Sequence, residues 1–274
     1  MNHHPRIFVA GCGYTGERCA DFFSAAGSPV TGLDSSAASA ERLAAKPYPV
    51  MTGDASDASA LQALLHGEKR PQVLIHCLSG PGGRDAAAYR ITYLATLRHL
   101  LEILQPEFCV FTSSTSVYDQ NDGTWVTEDC ATGGTPIGDV LMEAENLARA
   151  VGGAAVRLGG IYGPGRSRFI QAARSGEPAA SGPPDGFINF IHRDDAARAL
   201  VHVARQTLAG AFNAVDSLPA PRSSLREALR TGTNTLTTPA GAMTGKQVSN
   251  AKLRASGWTP RYPSILDAVR DSAV

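Results

Sequence analysis

Six residues near the start of the chain, Gly11-Cys12-Gly13-Tyr14-Thr15-Gly16, place three glycines at the G-x-G-x-x-G spacing. The first glycine permits a tight turn, the second lets a pyrophosphate come close to the backbone, and the third lets a helix pack on the strand before it. A carboxylate follows at Asp34, eighteen residues past Gly16, where it can accept hydrogen bonds from both hydroxyls of an adenosine ribose. Ser35 and Ser36 come next rather than an arginine, so a ribose without a 2′-phosphate is favoured: NAD ahead of NADP.

Those residues need a scaffold, and the flanking pattern supplies one. "RIFVA" is a short apolar, partly β-branched run that ends at the glycines. From Glu17 the periodicity turns helical, with Cys19/Ala20, Phe22/Phe23 and Ala26 on one side and Gly27 as the stop. The alternation continues through "PVTGLD", "SAERLAA", "YPVMTGD", "DASALQALLHG", "QVLIHCL", the long helical stretch "AAAYRITYLATLRHLLEIL", and "EFCVFTSSTSVYD". Strand–helix repetition of this kind predicts an α/β fold, a Rossmann-type doubly wound parallel sheet. Ligands on such sheets collect beyond the carboxyl ends of the strands. That edge gathers Gly11, Cys12, Gly13, Tyr14, Thr15, Gly16, Asp34, Asp54, Cys77, Leu78 and Ser79 as cofactor-binding candidates. The "PGGR" run at Pro81–Arg84 and the hydroxyl-rich end of the fifth strand lie there too.

Bulk composition narrows the partners. The 274 residues are 43% hydrophobic and 18% charged, with 25 basic residues against 25 acidic. With zero net charge and no long run of either sign, neither nucleic acid nor an anionic membrane is expected as a partner; a small molecule is. Five cysteines, an odd count without C-x-x-C spacing, read as free thiols of a reducing compartment, and no metal site is expected. The apolar run at the N-terminus is too short for a signal peptide or a membrane span, so the expected location is the cytoplasm.

By the fifth strand the chain resembles an extended short-chain dehydrogenase/reductase, the group of NAD-dependent nucleotide-sugar epimerases and dehydratases. "VFTSSTSVYD" is similar to the strand that carries the catalytic Ser/Thr, and "VRLGGIYGPGR" to the strand and loop that open the substrate lobe. "NFIHRDDAARAL" resembles the Ile-His-Val-Asp-Asp-x-Ala segment, through Ile191, His192, Asp194 and Asp195. Two further segments, "FNAVDSLPAPRSSLREAL" and "VSNAKLRASGWTPRYPSILDAV", resemble the closing part of the fold, so the likeness runs from Arg6 to about Val269. It implies a dinucleotide-binding domain over 1–160, with 188–216 returning to it. A small substrate-binding lobe would be formed by 161–187 and 217–274. Ser114 and Tyr118 fall at the catalytic end of the strand, and Tyr162 and Arg166 at the substrate side.

The departures decide the chemistry. The helix that in the family carries an Asn in an N-V-x-G-T run has Thr92 in that slot, and the Tyr-x-x-x-Lys pair falls on "IGDVL", with Ile137 in the Tyr slot and Leu141 in the Lys slot. Neither side chain can donate, accept or carry charge. The four lysines, Lys46, Lys69, Lys246 and Lys252, lie in other segments. Candidates for a stand-in are Ser114, Tyr118, Asp139, Glu143 and His192, although an unassisted tyrosine stays protonated at neutral pH. Two readings follow: an atypical member that still moves a hydride on a nucleotide-sugar or similar small polar substrate, or a non-catalytic dinucleotide-binding sensor or partner of another protein. The helices "AAAYRITYLATLRHLLEIL" and "GDVLMEAENLARA" are candidates for a homodimer face, and their apolar stripes are equally suited to covering their own sheet. "ARSGEPAASGPPDG" reads as a loop over the substrate.

Overall fold

A computed structural model describes residues 4–79, 85–177, 186–237, 241 and 243–274. The chain divides into two compact units, one of Met1–Val117, Thr132–Arg157 and Ala197–Ala211, the other of Tyr118–Ala131, Leu158–Ala196 and Phe212–Val274. In this division 118–131 falls in the second unit, and 197–211 is the part of 188–216 that falls in the first.

Along the chain run β1 (Ile7–Ala10), α1 (Gly16–Ala25), β2 (Val30–Asp34), α2 (Ala37–Ala44), β3 (Val50–Thr52), α3 (Ala58–Leu64) and β4 (Val73–His76). Next come α4 (Ala86–Tyr89), a π-helical turn (Arg90–Ala95), α5 (Thr96–Leu104), β5 (Phe108–Ser114), β6 (Trp125–Val126) and α6 (Pro136–Ala150). They are followed by β7 (Ala154–Leu158), β8 (Gly160–Tyr162), α7 (Arg168–Ser175), β9 (Phe187–Ile188), β10 (Phe190–His192) and α8 (Arg193–Gln206). The chain closes with β11 (Gly210–Ala214), β12 (Ala220–Pro221), α9 (Arg222–Thr231), β13 (Gln247–Val248), α10 (Ala251–Ala255) and α11 (Ile265–Arg270). Among the described residues no helix is long and apolar enough to cross a membrane.

The first unit is built on a seven-stranded sheet in the order β11-β7-β5-β4-β1-β2-β3. Ile7, Phe8, Val9 and Ala10 are all buried, as a strand covered on both faces must be. Ile7 lies in parallel register between Val30 and Val73, and Ala10 between Leu33 and His76. From β1 the chain first builds outward through β2 and β3, then crosses back to β4 on the other side. The strand order therefore reverses between β1 and β4, which opens a crevice at their carboxyl ends.

The long helix expected after β4 is interrupted by the π-helical turn. There the Thr96 hydroxyl donates to the Thr92 carbonyl at 2.5 Å, four residues back. That hydroxyl must then accept from His76 Nε2, 2.9 Å away, which leaves His76 Nδ1 buried and bare. Beyond the turn, Leu97, Leu100, Leu101 and Leu104 carry the buried face of α5. In α6, Thr135 caps the helix by accepting from Gly138 N, Pro136 stands in the first turn, and Val140, Leu141, Ala144 and Ala148 are buried.

The second unit consists of small pairings among distant segments: β8 with β10, β9 with β12, and β6 with β13. Its core gathers Tyr162, Ile170, Leu225, Leu229, Tyr262, Ile265 and Leu266. Buried polar groups tie down the closing segment. Asp195 accepts from Arg261 N and Tyr262 N, and His192 Nε2 donates to the Ala273 carbonyl at 2.9 Å.

Candidate dinucleotide site

The crevice at β1 and β4 is shaped by three glycines with three different reasons to be glycine. Gly11 has φ +92°, and a Cβ there would lie 2.7 Å from the Cys77 backbone. At Gly16 a side chain would run into the Gly11 carbonyl. Gly13 differs from both: its φ is unremarkable and no atom lies within 4 Å of where its Cβ would be. The protein's own packing does not require glycine at that position, whereas close approach of a pyrophosphate does. The loop is fixed in place by Gly11 N and Cys12 N, which both donate to the Leu33 carbonyl, and by Cys77 N, which donates to the Ala10 carbonyl at 2.7 Å.

Directly beyond the loop, α1 starts at Thr15 without a side-chain cap, so its first N–H groups point into the same crevice. The acid in its first turn, Glu17, is neutralised by Lys46 at 2.6 Å and by Arg42. Asp34 ends β2 and is 9% exposed. One of its oxygens accepts from Ser36 N at 2.9 Å, leaving the other to face a ribose. The nearest following arginine, Arg42, is held by Glu17 rather than free to meet a 2′-phosphate. These groups fit a dinucleotide with an unmodified adenosine ribose.

The remaining candidates along this edge divide by exposure. Asp54 is exposed and its carboxylate closes a local turn by accepting from Ser56 N. Tyr14, Cys77 and Leu78 are half-buried and Ser79 is exposed. Cys12 turns its thiol down over Gly32, toward the Val9 carbonyl, and not toward the phosphate loop. Burial, with Asp34 nearby, pushes this thiol up to about 12, and burial pushes Cys77 up to about 11. Both are inert as nucleophiles. The "PGGR" run lies outside the described residues.

At the end of β5, Ser114 is half-buried and its Oγ accepts from Ser116 N at 3.1 Å and from Ser116 Oγ at 3.0 Å. Its own proton is therefore left to donate. The two residues that the resemblance sets at the Tyr and Lys positions are both in unit 1: Leu141 is 1% exposed and Ile137 is half-buried. Most of the stand-ins are already engaged. Asp139 accepts from Gly134 N, and Glu143 is clamped by two 2.7 Å bonds from Arg90.

In unit 2, Tyr118, expected at the catalytic end of the strand, is 1% exposed and its hydroxyl donates to Asn213 Oδ1 at 2.8 Å. His192 accepts from Asp194 N through Nδ1 while donating through Nε2, so both its nitrogens are used. Tyr162, expected at the substrate, is 3% exposed, with its ring edge-on to Phe190 and His192 and its hydroxyl buried without a hydrogen-bond partner. Arg166 is exposed on the turn where Gly163 and Arg166 exchange backbone bonds.

One buried arrangement was not anticipated. Glu145, on the inner face of α6, accepts from Arg157 on β7 and from Ser113 on β5. A glutamate four residues past Leu141 falls on the apolar stripe of the helix, and that placement is the signal that could have revealed it.

A profile of the NAD dependent epimerase/dehydratase family matches residues 7–214. The chain belongs to that family. No curated protein matches the chain. Among solved structures, a protein of Methylobacillus flagellatus named for the same NAD-dependent epimerase/dehydratase group is 30% identical, with a TM-score of 0.79 and 97% of each chain covered. Two more distant structures share the epimerase fold. MoeE5 in complex with UDP-glucose and NAD is 23% identical, with a TM-score of 0.73 and coverage of 97% and 99%. The UDP-glucose 4-epimerase of Thermus thermophilus, in complex with NAD, is 20% identical, with a TM-score of 0.79 and coverage of 97% and 96%.

Proposed function

We propose that this epimerase-family chain binds NAD in the β1/β4 crevice and acts by hydride transfer on a nucleotide-sugar or a similarly small, polar substrate. The observation that carries the cofactor reading is Gly13, whose missing side chain leaves an open cradle that no packing constraint accounts for. Gly11, Gly13 and the uncapped start of α1 would hold the pyrophosphate, with Asp34 on the adenosine ribose. The bound nicotinamide supplies or accepts the hydride.

This chain's own contribution is narrower than in relatives with a Tyr-x-x-x-Lys pair. The Ser114 hydroxyl has a proton free to donate to a substrate oxygen, where it polarises a carbonyl. The proton that ends on that oxygen comes from solvent, since Asp139, Glu143, Tyr118 and His192 are all committed elsewhere. Carbonyl reduction suits such a site better than alcohol oxidation, which needs a base.

A second reading, a dinucleotide-binding sensor without turnover, is favoured by the burial of Leu141 in the lysine position. One experiment separates the two. Titration with NADH and NADPH, read by nicotinamide fluorescence, is followed by a panel of carbonyl and nucleotide-sugar substrates. Failure to bind either dinucleotide at millimolar concentration ends both readings. Turnover that falls about a hundredfold in Ser114→Ala supports the enzyme, whereas tight binding with no turnover across the panel supports the sensor.

A further inference from the structure

We propose that Arg222, with Arg226 one turn further along α9, forms an oxyanion-binding subsite of unit 2. It would take the phosphate or carboxylate group of a small ligand. This goes beyond the dinucleotide reading and does not depend on it.

Other arginines of the unit show what is unusual. Arg230 is paired with Glu227 at 2.6 Å, Arg270 with Asp267 at 2.9 Å and Arg193 with Asp194 at 3.2 Å. The Arg222 side chain makes no hydrogen bond or ion pair among the described residues, although it is half-buried and its Nε is wholly enclosed without an acceptor. A guanidinium offers five N–H donors and loses solvation when enclosed, so an unmatched one is costly unless something else meets it. Ser223 Oγ, its neighbour, is also buried with no partner. Arg226 spends donors on the carbonyls of Ala172 and Glu177 and, among the described residues, on no carboxylate, so its charge is not cancelled there.

Electrostatics reinforce this geometry. Burial, together with repulsion from Arg226, draws Arg222 below the ordinary guanidinium value, with no carboxylate opposing the effect. Arg222 stands in the first turn of α9, a ten-residue helix that starts at Pro221 with neither a side-chain cap nor an acid in that turn. The positive end of the helix therefore adds to the two guanidinium charges. Arg222 N itself is anchored on the Gly186 carbonyl at 3.0 Å, which fixes the base of the side chain. An oxyanion would supply the acceptors that this site lacks, and an arginine fork suits phosphate and carboxylate alike.

The test is calorimetric titration of the full chain with inorganic pyrophosphate and, in parallel, malonate. A Gly13→Val background removes any contribution from the phosphate loop. Saturable binding of either anion is expected. Arg222→Met should weaken it at least ~10-fold, Arg222→Lys should weaken it less, and Arg230→Gln should leave it unchanged. The ligand-free melting temperature of Arg222→Met should stay level or rise, because an unmatched charge has been removed. Preference for pyrophosphate or for malonate identifies the phosphate or the carboxylate as the group taken. The proposal is overturned if neither anion binds the parent, if Arg222→Met binds as the parent does, or if Arg222→Met loses stability or fails to fold without ligand.

Discussion

Glu145 and Arg157 face each other inside the first unit with almost no contact with water, Nη2 2.7 Å from Oε2, and Ser113 donates to the same carboxylate at 2.7 Å. The pair joins α6, the helix that carries Ile137 and Leu141, to β5 and β7. Removing one partner strands a buried charge, so Arg157→Met should cost about 3–5 kcal/mol in urea unfolding. The double variant Glu145→Leu/Arg157→Met should recover most of that loss. If the single and double variants are equally destabilised, the pair is not acting as a unit.

The glycine loop predicts a separation of fold from binding. Gly13→Val should keep or slightly raise the melting temperature and weaken NADH binding at least ~10-fold. Gly16→Val should unfold the unit, because its side chain meets the Gly11 carbonyl. Fluorescence titration and thermal melts on the same samples read both effects. A Gly13→Val protein that binds NADH normally would show that the open cradle is not a phosphate site.

Placing a tyrosine at Ile137 and a lysine at Leu141 is predicted not to create an acid–base pair. Leu141 is enclosed, so Leu141→Lys buries an ammonium with no built partner and should destabilise by about 3 kcal/mol or more. Ile137→Tyr, at a half-buried position, should be tolerated within about 1 kcal/mol. A stable, active Ile137→Tyr/Leu141→Lys double variant would contradict this account of α6.

Acid and alkali should act on different units. Burial pulls His76 down to about 3 from an ordinary value near 6.5, so the unfolded chain takes up that proton first. Its contribution is present above about pH 6.5 and is lost as pH falls from there toward 3. Asp216 behaves in the opposite sense. Burial raises it well above the usual carboxylate range, despite donation from Leu218 N and Ile265 N, and Asp267 and Asp195 raise it further. Its contribution is present below about pH 4 and lost as pH rises through its raised value. Asp216→Asn should therefore gain melting temperature relative to the parent as pH increases from 5 to 9. A constant difference across that range would refute it.

Much of the first unit could be read directly from residue types, because its signals are local. Gly11, Gly13, Gly16 and Asp34 lie within one β-α-β stretch, and the apolar run Ile7–Ala10 announces a strand buried on both faces. What escaped notice depends on partners far along the chain. Tyr118 and Tyr162 sit at strand ends, where open clefts are common. Each is nonetheless enclosed by later segments, Tyr118 by the bond to Asn213 and Tyr162 by the cluster it shares with Tyr262 and Ile265. Arg222 resembles an ordinary surface arginine until its lack of an acid partner is seen. The π-helical turn has no sequence signature; it is visible only through the Thr96-to-Thr92 bond and the demand His76 places on the same hydroxyl.

The pairing of β6 with β13 has a consequence for how the polypeptide is made. Trp125 and Val126 wait for Gln247 and Val248, which leave the ribosome some 120 residues later. The first unit likewise waits for Ala197–Ala211. Neither unit is a continuous stretch of gene, so no single cut separates them. During synthesis the first unit stays unfinished until Ala211 has emerged and the second until Val274 has, and long-range closure of this kind slows folding. A product truncated before Ala197 would leave both cores incomplete, whereas one cut after Ala211 would remove residues of the second unit alone.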